Sequence, residues 1–327
     1  MGDPFLHRDA AARRRVSRPG RERFAVPFIG RTVRRFGART LEQLVAVACA
    51  AALGALAVLG GGSAHARPLD DVVESGTLTV SVYSDYAPYS WQQGGTARGI
   101  DVEIAQAIGE YLGVRTELLI RGADESVDDD LRNNVWKGDL IQRRLADVML
   151  HVPFDREVDA RNEFAVLTAP YFQEEMAIVL DTDRLDGVDT FGWFVSHPIA
   201  VELDTAGDFF LSGAFRGQLQ RSVQRERTFE QAAARFVAGE VPALMASRAQ
   251  CEWVAGRAVR AGLNVDVRQP PMPGIVRTGW PVGVAVKHDS RDLGYAVGDA
   301  LTALVQSGEM AALFGRYDVE WLPPELD

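Results

Sequence analysis

The chain has 327 residues and 47% hydrophobic content, enough for two ordinary domains with cores of their own, and a formal net charge of −10. The charge is uneven: residues 1–66 hold eleven arginines and four acidic residues, and the remainder holds 24 basic and 41 acidic residues. An acidic body offers nothing to offset repulsion from phosphates, which argues against nucleic acid as a partner.

Residues 1–40 are Arg-rich without apolar periodicity. Leu44–Leu59 is an apolar run of 16 residues, and Gly60-Gly61-Gly62-Ser63-Ala64-His65-Ala66 follows it. A basic region, a short apolar region and an A-x-A site ending at Ala66 describe a secretory signal peptide, so the expected location is the periplasm. A membrane anchor is the rival, but the run falls short of the roughly 20 residues that span a bilayer. Arg34-Arg35-Phe36 hints at a twin-arginine signal, although paired arginines are expected by chance in so basic a segment. The length of the basic region points to a start downstream of Met1. Of the two cysteines, Cys49 falls in the apolar run, which leaves Cys251 alone in the exported chain and predicts no intrachain disulfide.

Leu69–Ser75 is predicted to be a short helix stopped by Gly76. Leu78, Val80 and Val82 alternate with polar residues as a strand does. The loop after it carries Tyr86, Tyr89 and Trp91, and apolar residues then recur at helical spacing from Asp101 to Leu112. Ligands of open α/β sheets sit at loops leaving the carboxyl ends of strands. The three rings therefore either wall a small-molecule cleft or plug the top of the core.

Val80–Ile120 resembles the opening of the family 3 periplasmic solute-binding proteins, the polar-amino-acid-binding proteins of ABC importers. Gly99-Ile100-Asp101-Val102-Glu103-Ile104-Ala105 is similar to that family's G-F-D-V-D-L-A helix start. The resemblance continues in order through Gly138 and Ala146-Asp147-Val148-Met149-Leu150, Ala169-Pro170-Tyr171-Phe172, Gly239–Ser247, Val282–Lys287 and the closing segment from Ser307 to Tyr317, about residues 69–321 in all. It implies an α/β, two-lobed periplasmic binding protein type II fold (Venus flytrap), with mixed five-stranded sheets flanked by helices and a two-strand hinge. The implied layout is a signal peptide at 1–66, lobe 1 at 67–181 and 285–327, and an inserted lobe 2 at 182–284.

Val114–Ile120 reads as a strand, and within the acidic run Asp124–Asp130 the residues Asp128–Asp130 read as a charged cap on a helix Leu131–Lys137 rather than a metal site, because no calcium-loop spacing is present. His151–Arg161 is expected to be a second cleft-facing loop. The resemblance implies an arginine in it that clamps a ligand carboxylate bidentately, with Arg156 the better positional match and Arg161 the alternative. His151 either donates to a ligand or is a satisfied polar residue at a strand end. In the second lobe, Ile199–Leu203 is a strand, and the turn at Asp204-Thr205 opens a helix whose N–H groups could meet an anion. There Asp204 stands where the family has glycine, and Asp204 or Thr205 could equally be an ordinary N-cap. Thr228–Ala238 is a helix burying Phe229, Ala232, Ala233 and Phe236, and Asn264–Arg268 is a strand. Ser247 replaces the aspartate that neutralises the ligand's ammonium in the family's amino-acid binders, which argues against an ordinary α-amino acid.

No catalytic motif accompanies this pattern: H-E-x-x-H, G-x-S-x-G, a P-loop and a strand-borne G-x-G-x-x-G are all missing from the sequence. The expectation is a non-catalytic monomer without cofactor, passing a small polar ligand to an ABC permease. The run Asp128–Gly138 with Ala146–Pro153, the Asp139–Leu145 insertion and Ser247 also resemble a branch that accompanies quinoprotein (methanol or alcohol) dehydrogenases. That branch implies a quinoprotein dehydrogenase as the partner and a role in its maturation or activation.

Overall fold

A computed structural model describes residues 66–139, 143–275 and 277–326. The signal-peptide reading up to His65, and the middle of the Asp139–Leu145 insertion, lie outside the described residues. No described helix is long and apolar enough to cross a membrane.

The first half of the chain alternates strands and helices: α1 (Leu69–Ser75), β1 (Thr77–Tyr83), a small ribbon of β2 (Asp85–Tyr86), β3 (Ser90–Gln93) and β4 (Thr96–Arg98), then α2 (Ile100–Leu112), β5 (Arg115–Arg121), α3 (Val127–Leu131), β6 (Val148–Pro153) and α4 (Arg156–Arg161). The long strand β7 (Ala165–Asp181) leads onward to β8 (Ile199–Glu202), α5 (Ala206–Gly217), β9 (Val223–Glu226), α6 (Phe229–Val237), β10 (Ala243–Ser247), α7 (Arg248–Arg260) and β11 (Val265–Arg268). The chain returns through β12 (Gly279–Lys287) and ends with α8 (Arg291–Ser307) and α9 (Glu309–Gly315).

β7 belongs to two sheets at once. Its Ala165–Glu175 part pairs antiparallel with β12, extending the order β5-β1-β6-β12-β7. From Met176 to Leu180 it pairs antiparallel with β10 on one side, and from Ile178 to Asp181 with β11 on the other, in the order β11-β7-β10-β8-β9. Each five-stranded half is mixed, because β1 runs parallel to β5 and β6, and β8 parallel to β9 and β10.

Side chains alternate across both halves, as a strand period of two requires. Val148 and Leu150 join the core under α2, α8 and α9, whereas Met149 faces Leu131 and Val135 on the opposite side. In the second half Ile178 and Leu180 pack with Phe191, Phe194 and Phe210, while Ala177 and Val179 pack with Phe236 and Val254. The four residues expected inside the helix after Thr228 are all buried. Ala249 and Trp253 of α7 also touch the first half's core, so the two halves meet along that helix.

Two expectations are corrected. The acidic run does not itself cap a helix Leu131–Lys137: the Ser126 hydroxyl accepts the Asp129 N–H at 3.2 Å and caps α3, with Asp128–Asp130 in its first turn and a π-helical turn Arg132–Trp136 after it. Asp130 is buried, where it accepts from the Tyr83 hydroxyl and the Asp124 N–H, both at 2.8 Å. Nor is His151–Arg161 a loop. His151 to Pro153 finish β6, and Asp155 caps α4 through the N–H groups of Glu157 and Val158.

Phe314 of α9 is fully buried, with its ring 4.7 Å from that of Phe172 on β7. Phe314→Ala is expected to cost about 3–5 kcal/mol. Urea unfolding followed by circular dichroism should show a lower midpoint with an unchanged slope.

Candidate functional site

The aromatic loop is held by the start of α2. Gly99 sits at φ +126°, and a Cβ there would lie 2.2 Å from the Tyr89 carbonyl oxygen, so only glycine allows the approach. The N–H groups of Ile100 and Asp101 donate to the carbonyls of Pro88 and Tyr89 at 3.0 and 2.8 Å, which satisfies the helix's orphan donors with the loop itself. Below them the Asp101 carboxylate accepts from the Tyr171 hydroxyl at 2.9 Å and lies 3.1 Å from His151 Nδ1.

This anchoring sorts the three aromatics. Tyr89 is wholly buried between Tyr86 and His151, at centroid separations of 5.0 and 4.0 Å. Tyr86 is half-buried and lines a pocket of about 170 Å³. Trp91 is in neither place; it stands against Trp253 of α7 and Tyr317, 5.7 and 5.9 Å between ring centroids.

The pocket lies where β8 and β10 end and β7 meets β12. Thr205 and Ser247 line it opposite Tyr86, joined by Met176 and Trp280 from the two long strands. Glu202, Phe229, Met245 and Gln250 complete most of the wall. Thr205 is the N-cap of α5, its hydroxyl accepting the Asp208 N–H at 3.3 Å. Asp204 adopts φ +62°, the left-handed region that favours glycine and that aspartate tolerates better than most residues. Ser247 caps α7 in a reciprocal capping box with Gln250, and the Gln250 amide also donates to the Ala87 carbonyl at 3.2 Å.

Besides Tyr89 and Trp91, four more predicted residues lie off this wall. His151 is buried behind Tyr86 and Tyr89, with φ +59°. Arg161 is exposed and paired with Asp128 at 3.3 Å. Arg156, also exposed, lines a separate cavity of about 600 Å³ near Arg277 and Glu325. Asp204 is exposed at the turn beside the pocket, its N–H donating to Asp208 Oδ2 at 3.3 Å.

Glu174 was not singled out from the sequence, yet it is fully buried at the centre of the junction. It accepts from the Tyr89 hydroxyl, from the Glu175 N–H at 2.9 Å, and from the Ser247 hydroxyl. Burial pushes its carboxyl up to about 7, against those hydrogen bonds and the nearby Arg248. Two consecutive glutamates in an otherwise apolar strand were the available signal, since one of the pair must face inward. Glu202, the last residue of β8, is also pushed up by burial, with the Phe229 N–H opposing. Gln250 was legible as the fourth residue of an S-x-x-Q capping signature. Phe229 reads as plain helix core in sequence, and Trp280 carries no local signal. Among the described residues, no group of three or more His, Cys, Asp or Glu could hold a metal ion.

No protein-family model matches the chain. A curated relative, cyclohexadienyl dehydratase from Pseudomonas aeruginosa, is 43% identical over 68 residues, which span 20% of this chain and a quarter of the dehydratase. Among solved structures, an ancestral cationic amino-acid solute-binding protein superposes with a TM-score of 0.60 at 20% identity, covering 76% of this chain and 98% of the other. An amino acid ABC transporter substrate-binding protein from Streptococcus pneumoniae, bound to L-arginine, gives 0.55 at 20% identity over 78% of this chain and all of the other. The arginine-, lysine- and histidine-binding protein of Geobacillus stearothermophilus gives 0.51 at 18% identity over 74% and 94%. Identities this low carry fold alone: the chain has the two-lobed α/β fold of the periplasmic binding proteins.

Glu174 takes up a proton on folding between its unfolded value near 4.5 and about 7, so its ionisation removes stability as pH rises through that window. Glu174→Gln keeps the neutral shape. The variant is expected to gain on the natural protein by about 3 kcal/mol between pH 4.5 and 8. Urea unfolding of both proteins across that range measures the gain.

Proposed function

We propose that this protein is a periplasmic solute-binding protein that captures a small polar ligand between two lobes joined where β7 and β12 cross, without chemistry, for an ABC importer. One observation carries the reading. A single small pocket is lined by Tyr86 from one lobe, by Thr205 and Ser247 from the other, and by Met176 and Trp280 at the crossover. A ligand touching both lobes binds their closed arrangement better than an open one and shifts the population toward it. Direct bonds between the lobes, from Gln250 to the Ala87 carbonyl and from Arg248 to the Glu320 carbonyl at 2.8 Å, would add to that closure.

Two other readings have narrower support. The short likeness to a dehydratase favours an enzyme, and Glu174 titrates near neutrality as a general acid would. Yet Glu174 lies behind Tyr89 and does not line the pocket. The quinoprotein-dehydrogenase accessory reading rests on the sequence resemblance of Asp128–Gly138 and Ala146–Pro153.

Binding should appear as a rise in melting temperature with one member of a panel of amino acids, dicarboxylates, amines and alcohols. The rise should be lost in Tyr86→Ala and kept in Arg161→Ala. A panel without any shift, together with a dehydrogenase retained in native mass spectrometry, would replace the importer reading with the accessory one.

A further inference from the structure

From the charge of the pocket wall we infer that its ligand is a small organic cation without a carboxylate, such as a primary amine or a guanidine. The inference rests on the solute-binding reading and narrows its ligand.

The wall is acidic and aromatic. Among the lining residues Glu202 is the only carboxylate, and there is no arginine or lysine. The Glu202 carboxyl takes a hydrogen bond from the Phe229 N–H, and no cation acts on it. Burial drives the ionisation of Tyr86 up, and the nearby carboxyl groups of Glu174, Asp101 and Glu202 push it in the same direction. Asp204 adds a further acidic side chain on the adjoining turn. A cation entering here is attracted by every nearby charge of the wall. Tyr86, Phe229 and Trp280 line the same space, and aromatic rings attract cations through their quadrupole.

A carboxylate meets no arginine or lysine on this wall, only the backbone at the start of α5, where Ala206 and Gly207 line the pocket. The candidate clamps lie elsewhere, Arg161 on Asp128 and Arg156 in the separate cavity. Arg248, the cation nearest the junction, is engaged by Glu252 and by the Glu320 carbonyl. The Ser247 hydroxyl is taken up by the Gln250 N–H and Glu174, and the Thr205 hydroxyl donates to the Glu202 carbonyl at 2.8 Å. Burying an ionised carboxylate without a compensating cation is strongly unfavourable, and an acidic side chain already lines the wall. A volume of about 170 Å³ also sets the scale, well below the roughly 300 Å³ at which drug-sized pockets begin.

Matched pairs differing only by the carboxylate test this directly. Isothermal titration calorimetry would compare L-arginine with agmatine and L-lysine with cadaverine. The decarboxylated member of at least one pair is expected to bind at least about tenfold tighter than its amino acid. Its binding should weaken by a similar factor in Glu202→Gln, whose unliganded melting curve checks that it folds. Equal or tighter binding of the amino acid in both pairs overturns the inference while leaving the solute-binding reading intact. If all four fail and native mass spectrometry finds an anionic or neutral solute retained, the inference falls and capture stands. If all four fail and no solute is retained, both fall.

Discussion

The antiparallel pairing of β7 with β12 at the waist is the constraint on which the molecule turns. Glu175, Glu174 and Gln173 face Gly279, Trp280 and Pro281 there, where one sheet ends and the other begins. Gly279 leaves no room for a side chain, since a Cβ would lie 2.9 Å from the Glu174 carbonyl oxygen. Only two strands cross, so a small change of backbone angle in a few residues can re-aim one half of the molecule against the other. Met176 and Trp280 of the pocket wall are on these strands, and Met245, Ala246 and Ser247 are on β10, which pairs with β7.

The end of the chain reinforces this waist. The Gln173 N–H donates to the Leu322 carbonyl at 3.0 Å, the Trp321 indole to the Tyr171 carbonyl at 2.8 Å, and the Glu325 N–H to the Gln173 side chain at 3.0 Å. Opposite Pro281, the Gln173 N–H is bonded to the tail, while the Pro281 carbonyl accepts from the Phe154 N–H at 2.8 Å. The tail also holds α7, since Glu320 bonds both Arg248 and Glu252 while Asp318 pairs with Arg260 at 2.8 Å. A segment that reads as an unremarkable polar end thus ties strand β7 to the first helix face of the second half.

Polar burial at the junction follows one logic. Glu174, Ser247 and Gln250 are each nearly inaccessible, and each has several partners, so their desolvation is offset by hydrogen bonds. Ser247 is therefore committed to structure as well as to the wall of the pocket. The same arrangement brings carboxyl groups together without bringing an arginine into the lining, and that imbalance is the pocket's chief chemical character.

Local signals carried most of the architecture. Period-two alternation around Val80, helical spacing from Asp101 to Leu112, and glycine stops at Gly76 and Gly239 follow from backbone sterics and from one buried face, and these act within a few residues. They located the strands and most of the helices, and the family resemblance supplied the order in which they join. Tyr86 and Thr205 were legible because they follow strand ends, and Ser247 because the family resemblance marks its position. The rest depended on which distant segments meet. Whether Trp91 faces the pocket or Trp253, whether Arg161 reaches a ligand or Asp128, and whether Glu174 is solvated or buried are set by packing across 30 to 160 residues of sequence, as the Arg161–Asp128 and Trp91–Trp253 contacts are. The residues alone fixed the elements because short-range sterics suffice for them. The tertiary structure alone decided the charge of the pocket, because that is a sum over side chains with no neighbourhood in sequence.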